Sequence, residues 1–61
     1  MIASLGYDTK NSVLEIEFNS GAIWQYSGVQ NITYTKMIKA DSPGRYFLDN
    51  IQDCYDEIRL R

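Results

Sequence analysis

The chain has 61 residues, a single cysteine and no histidine, and its eight Asp and Glu outnumber its six Lys and Arg for a net charge of −2. This length allows one domain, which we expect to span residues 1–61. A single cysteine excludes a disulfide within the chain, and the absence of histidine and of a second cysteine excludes the usual zinc sites. The acidic balance is also atypical of proteins that bind nucleic acid nonspecifically through a basic surface.

The first half of the sequence has the period-two alternation of β-strands. Residues 2–7 (IASLGY), 12–18 (SVLEIEF) and 22–27 (AIWQYS) each alternate apolar with small or polar side chains. The polar residues 8–11 are typical of a turn between the first two segments. These segments predict a three-stranded antiparallel meander.

The loop of the second predicted hairpin decides where Trp24 and Tyr26 lie. A three-residue loop at residues 19–21, with Gly21 in the left-handed conformation, turns both rings toward the inner face of the sheet. Six side chains then share that face: Leu14, Ile16, Phe18, Ala22, Trp24 and Tyr26. A two-residue loop at 20–21 would instead expose both rings, as on the stacking surfaces that bind single-stranded nucleic acid. The first register leaves a mostly polar outer face, which favours an aromatic core, although the Tyr26 hydroxyl can still reach the edge of the sheet.

The second half changes to helical spacing. Asn31 can cap a first helix that runs to about Ala40. Its covering stripe is predicted to contain Tyr34, Met37 and Ile38.

Ser42 and Pro43 predict the start of a second helix, because a hydroxyl can cap it and proline is favoured at its first position. Apolar residues spaced three or four apart predict the buried face of this helix, which we expect to run to about Tyr55. The residues of that face are Phe47, Ile51, Cys54 or Tyr55, and Ile58. On this helix Asp49 and Asp53 would share a face, four residues apart. The tail, residues 56–61, alternates again and is expected to form a short strand or an extended arm.

These elements predict an α+β fold in which a three-stranded antiparallel β-meander is covered on one face by two short α-helices. No segment approaches the roughly 20 apolar residues of a membrane helix, and the N-terminus lacks the features of a signal peptide. A free thiol fits a reducing compartment. We therefore expect a cytoplasmic protein without a membrane partner.

The sharpest candidate site is the start of the second helix. A helix start has unpaired N–H groups and the positive end of the helix dipole, which can hold a phosphate or carboxylate. Here Ser42 is at the cap, Gly44 leaves room for the ligand, and Arg45 adds a guanidinium group. The alternative is an ordinary cap and turn in which Arg45 is exposed or paired with Asp41 or Asp49. Lys36 and Lys39 can add backbone-directed charge, or form a solvated helix face.

Little in the sequence points to catalysis. Without histidine, a serine or cysteine nucleophile lacks its usual base. Glu15 and Glu17 lie two apart on one strand face, which is typical of a solvated sheet. The acidic residues near the C-terminus lack the glycine turn of a calcium loop. We expect no catalytic residue, no metal, no cofactor and no enzymatic activity, and Cys54 is expected in the core.

The order and spacing of the residues resemble the KTSC domain family over nearly the whole chain. The resemblance rests on Gly6-Tyr7, Leu14 to Phe18, Ser20-Gly21, Trp24-Gln25-Tyr26, Val29, Ala40, Ser42-Pro43-Gly44-Arg45-Tyr46-Phe47, Ile51 and Tyr55. It implies a small domain found at the C-terminus of some lysyl-tRNA synthetases and as free-standing proteins of bacteria and phages, with RNA binding as the suggested function. The chain departs from the family at Trp24, where a tyrosine is usual, and at residues 52–54, where basic residues are frequent.

Two functions follow from these features. The first is a module that binds RNA or another phosphate-bearing ligand, with Ser42, Gly44, Arg45, Lys36 and Lys39 on phosphate and Trp24 and Tyr26 stacking. The second is a protein-interaction or regulatory module, including a homo-oligomer, that uses the acidic second helix and tail against a basic partner. The charge balance favours the second function, and the association with a tRNA synthetase favours the first.

Overall fold

A single four-stranded antiparallel sheet and two helices make up the computed structural model, which describes residues 1–61. The elements are β1 (Ile2–Asp8), β2 (Val13–Phe18), β3 (Ile23–Ser27), α1 (Asn31–Lys39), α2 (Pro43–Asn50) and β4 (Asp56–Arg59). The strands lie in the order β1-β2-β3-β4, and both helices contribute side chains to one core with the inner face of the sheet. The α+β prediction is confirmed, with one strand more than predicted. Neither helix has the length and apolar character needed to cross a membrane.

The second hairpin has the register that a three-residue loop dictates. Gly21 has a φ of 94°, in the left-handed region, and the Phe18 N–H donates to the Ala22 carbonyl at 2.9 Å. Ile16 consequently lies opposite Trp24, and Leu14 lies opposite Tyr26. Trp24 and Tyr26 therefore share the inner face with the core of the sheet.

Helix α1 begins one residue earlier than its predicted cap implies. Gln30 occupies the N-cap without a side-chain hydrogen bond, so the prediction that Asn31 caps the helix is wrong. The Asn31 Oδ1 instead accepts a hydrogen bond from the Thr35 hydroxyl at 3.4 Å. Met37 is buried as predicted, but Ile38 is 48% exposed, because it lies about 100° around the helix from the buried Met37.

Helix α2 begins as predicted and ends earlier. The Ser42 Oγ accepts the Arg45 N–H at 3.2 Å, and the helix stops at Asn50 rather than near Tyr55. The following residues turn, and Asp53 adopts a φ of 63° outside the helix, so Asp49 and Asp53 do not share a helix face. Cys54 is exposed in this turn, which corrects its expected place in the core.

The tail forms β4, which pairs antiparallel with β3. Glu57 lies opposite Tyr26, and Ile58 lies opposite Gln25. Since directly opposed residues share a face, Glu57 is on the inner face and Ile58 on the outer face. Ile58 is 61% exposed there, so its predicted place on the buried side of a helix is wrong. Pairing with β3 therefore makes this segment a strand, although the spacing of its apolar residues also fits a helix.

The core lies between the sheet and the helices. Seven residues are buried: Leu14, Ile16, Tyr26, Val29, Met37, Phe47 and Ile51. The Phe47 ring contacts the rings of Phe18 and Tyr26 edge to face, with centroids 5.5 Å apart in each pair. This cluster holds α2 against β2 and β3.

Candidate binding groove

An open groove of about 370 Å³ lies on the inner face, beside α2. Because α2 has only eight residues, it leaves the end of the inner face near β3 and β4 uncovered. Eleven residues line the groove: Met1, Phe18, Ser20, Ala22, Trp24, Tyr26, Phe47, Leu48, Gln52, Asp53 and Glu57. Trp24 and Tyr26 thus belong to the wall of a concave surface, with Trp24 half-buried.

Tyr26 contributes a buried ring and a free polar atom to this wall. The residue is only 3% exposed, yet its hydroxyl makes no hydrogen bond within the chain and opens to the groove. Burial, together with the negative charges of Glu57 and Asp53, raises the pKa of Tyr26 to about 12. The phenol is therefore neutral at physiological pH and has a donor and acceptor to offer.

Two carboxylates border the aromatic wall from different segments. Asp53 comes from the turn after α2, and Glu57 comes from β4, directly across from Tyr26. Neither takes part in an ion pair, since the two ion pairs of the chain are Arg45–Asp49 and Arg61–Glu17. The groove is therefore lined by two acidic side chains and by no lysine or arginine.

One cation lies close to the groove without lining it. Arg59 is the cross-strand partner of Trp24, and its Nε donates to the carbonyl oxygen of Arg61 at 3.2 Å. No ion pair joins it to Asp53 or Glu57. An electron-rich indole face next to unpaired carboxylates attracts a cation and disfavours a phosphate.

The predicted phosphate site is a capped helix start whose groups already have partners. The Ser42 hydroxyl accepts the Arg45 N–H, and the Arg45 Nε lies 3.1 Å from Asp49 Oδ2. A Cβ at Gly44 would lie 2.9 Å from the Cε of Met1, so the methionine side chain covers the glycine. The start of α2 is therefore an ordinary helix cap in which Arg45 is paired with Asp49.

The structure does not bring the five predicted phosphate residues into one depression. Two segments line the depression at the start of α2. They are residues 1–5, which include the first half of β1, and residues 42–44. Arg45, Lys36 and Lys39 are absent from that lining. Both lysines are exposed in the last turn of α1.

A shallow polar depression on the opposite, outer face is internally satisfied. Asp8 accepts hydrogen bonds from the side chain of Asn11 at 2.9 Å and from the backbone N–H groups of Asn11 and Lys10. These bonds lower the pKa of Asp8, the side-chain bond most. Gln25 Nε2 likewise donates to Glu15 at 3.1 Å. These contacts stabilise the β1–β2 turn and the sheet surface.

Comparison with known proteins identifies the fold. The sequence profile of the KTSC domain matches residues 1–55. The chain belongs to the KTSC domain family. A crystal structure of a KTSC domain protein from Yersinia pestis is similar with a TM-score of 0.95 and 33% identity, over 98% of this chain and 84% of that chain. An uncharacterised protein of Stutzerimonas stutzeri (strain A1501) is 44% identical over 46 residues, which are 75% of this chain and 65% of that protein.

The residues that carried the family resemblance include much of the core. Five of them are buried: Leu14, Tyr26, Val29, Phe47 and Ile51. The family pattern thus includes five of the seven buried residues of this domain. Two of the groove residues, Asp53 and Glu57, lie outside that pattern. The sequence predicts Asp53 on the second helix and Glu57 in a tail that forms a short strand or an extended arm. The alternation of residues 56–61 was the signal for β4, which places Glu57 opposite Tyr26.

Proposed function

We propose that this KTSC domain is a non-enzymatic protein-interaction module that takes a basic segment of a protein partner into its inner-face groove. One observation carries the proposal: the unpaired carboxylates of Asp53 and Glu57 line the same groove as Trp24 and Tyr26. A lysine or arginine side chain is the part of a protein that satisfies an aromatic face and a carboxylate together.

A cation bound in the groove would be partly desolvated against the half-buried Trp24. A cation over an indole face contributes about 0.5–2 kcal/mol, more where water is excluded. The carboxylates add attraction that also speeds encounter with a basic partner. No ion pair within the chain has to break before a partner's cation binds to Asp53 or Glu57.

Binding of RNA or another phosphate-bearing ligand is the competing function. It would place phosphates near Arg45, whose Nε is paired with Asp49, or bases on Trp24, which lies beside two carboxylates. Both placements weaken attraction to a polyanion. The observations therefore favour the protein partner.

The test compares three fluorescein-labelled probes by fluorescence polarisation: a peptide of alternating Lys and Leu, a tRNA and a single-stranded RNA. Titrations at about 50 and 200 mM salt separate screened surface attraction from contacts within the groove. The variant is Asp53→Asn with Glu57→Gln. Its matched control, Glu15→Gln with Glu17→Gln, removes the same charge from the outer face.

We expect the groove variant to bind the peptide at least about tenfold more weakly, a loss of about 1.4 kcal/mol, and the outer-face control to bind like the parent chain. Equal losses in both variants would show attraction to net charge alone and contradict the proposal. Salt-dependent RNA binding that Arg45→Ala abolishes, without peptide binding, would establish the phosphate-directed function instead.

A further inference from the structure

A second surface of the protein, on α1, has the chemistry that the groove lacks. Ile32, Lys36 and Lys39 follow one another at steps of four and three, so they form a stripe along one face of the helix. We call these three residues the α1 stripe. Ile32 is 57% exposed, and both lysines are exposed as well, because the opposite side of α1 buries Met37. The helix contains no acidic residue.

The groove is divided into an apolar end and an acidic end. The apolar end lies at the β2–β3 loop, where the Asn19 N–H donates to the Met1 carbonyl next to Phe18; the exposed Leu48 and the Phe47 ring, both from α2, also line the groove. At the acidic end, Asp53 and Glu57 surround the buried Tyr26, whose hydroxyl has no partner in the chain. No buried side-chain oxygen of the chain lacks a hydrogen-bond partner, so the Tyr26 hydroxyl is reachable from the groove and is free to bind a polar group of a ligand.

We propose that the α1 stripe of a second copy of this chain occupies the groove, with Ile32 at the apolar end and Lys36 and Lys39 at the acidic end. The inference rests on the proposed function and names its partner. Ile32 and Lys39 are seven residues apart, or about 10 Å along a helix, a span suited to an amphipathic helix docked in a groove.

The hydrogen-bonding capacities of the two surfaces complement each other. A lysine ammonium has three donors and no acceptor, whereas the carboxylates are acceptors only. The neutral Tyr26 hydroxyl can accept from a lysine while it donates to Glu57 or Asp53. The unpartnered groups of the groove and the unpaired lysines of α1 would therefore satisfy one another.

The symmetry of such a contact depends on where the α1 stripe and the groove lie on one protomer. The α1 stripe and the groove are different surfaces of one protomer, so a single contact is heterologous. Two protomers close as a pair only if each inserts its α1 stripe into the groove of the other; otherwise the contact repeats into a ring or a chain. Both arrangements make the average mass rise with concentration.

The experiment is sedimentation equilibrium of the full chain across a concentration series, with charge reversal on each surface. The stripe variant carries Lys36→Glu and Lys39→Glu, and the groove variant carries Asp53→Lys and Glu57→Lys. Glu15→Lys with Glu17→Lys reverses the same charge as the groove variant, but on the outer face. Circular dichroism melting curves establish that each variant is folded.

We expect the parent chain to associate, each of the two reversals to weaken association at least tenfold, and an equimolar mixture of the two to recover it. In that mixture, lysines of one protein face carboxylates of the other. A parent chain that stays monomeric, association that survives both reversals, or an equal loss in the outer-face variant would overturn the inference.

The stripe variant also separates this inference from the proposed function, because its groove is intact. If it binds the Lys-Leu peptide while the parent chain does not associate, only the identity of the partner is overturned. If neither chain binds the peptide, the proposed function is overturned and the inference falls with it.

Discussion

The hydroxyl of Tyr7 donates a hydrogen bond of 2.6 Å to the carbonyl oxygen of Val29, a residue that is fully buried. The Tyr7 ring also stacks on Tyr34, with centroids 4.8 Å apart and planes inclined by 12°. One side chain of β1 therefore holds both the segment that precedes α1 and a side chain of α1 itself.

We predict that Tyr7→Phe lowers the free energy of unfolding by about 0.5–1.5 kcal/mol, because the Val29 carbonyl loses its side-chain donor while the stacking is kept. Tyr34→Phe is the matched control, since its hydroxyl makes no hydrogen bond and its removal should cost little. Urea unfolding followed by circular dichroism measures both. Equal effects of the two substitutions would contradict the role assigned to the Tyr7 hydroxyl.

Tyr26 should make stability fall at high pH. Its pKa is raised from 10.0 to about 12 by burial and by Glu57 and Asp53. Between these values the unfolded chain releases the proton and the folded chain retains it, so rising pH favours unfolding. Relative to Tyr26→Phe, the parent chain should lose up to about 2 kcal/mol of unfolding free energy from pH 9 to pH 12. Urea titrations across this range test it, and parallel pH profiles of the two proteins would count against it.

The Ser42 cap should contribute measurably to stability. Ser42→Ala removes the oxygen that accepts the Arg45 N–H at 3.2 Å, and we expect a loss of about 1 kcal/mol. Ser42→Asp keeps an acceptor and places negative charge at the helix start, so it should retain the parent stability. Thermal melts of the two variants decide the question; a loss in the Asp variant as large as in the Ala variant would show that the cap is unimportant.

Ile51 and Ile58 offer a matched test of the end of α2. Ile51 is fully buried, whereas Ile58 lies exposed on β4. We predict that Ile51→Val lowers the free energy of unfolding by about 0.5–1.5 kcal/mol, through a lost methylene and the gap it leaves. Ile58→Val should change it by less than about 0.5 kcal/mol. Similar losses measured by urea unfolding would support a longer helix with both residues on its buried side.

Local rules explain why the first half of the fold could be predicted. Alternating side chains place Leu14 and Ile16 on one face, and Gly21 permits the left-handed loop that sets the register of Trp24 and Tyr26. The Ser42 cap and the proline after it likewise depend on a few neighbouring residues. These features involve interactions over short distances along the chain, so the sequence determined them by itself.

Tertiary structure alone decided how residues 51–61 fold and where the groove lies. Residues 51–58 satisfy helical spacing and strand alternation in turn, and the open edge of β3 selects the strand because it supplies unpaired backbone groups for β4. That pairing turns Ile58 outward and places Glu57 beside Tyr26. Sequence identified the acidic and aromatic residues; their meeting in one groove depends on contacts between segments some 30 residues apart, for which local periodicity carries no information.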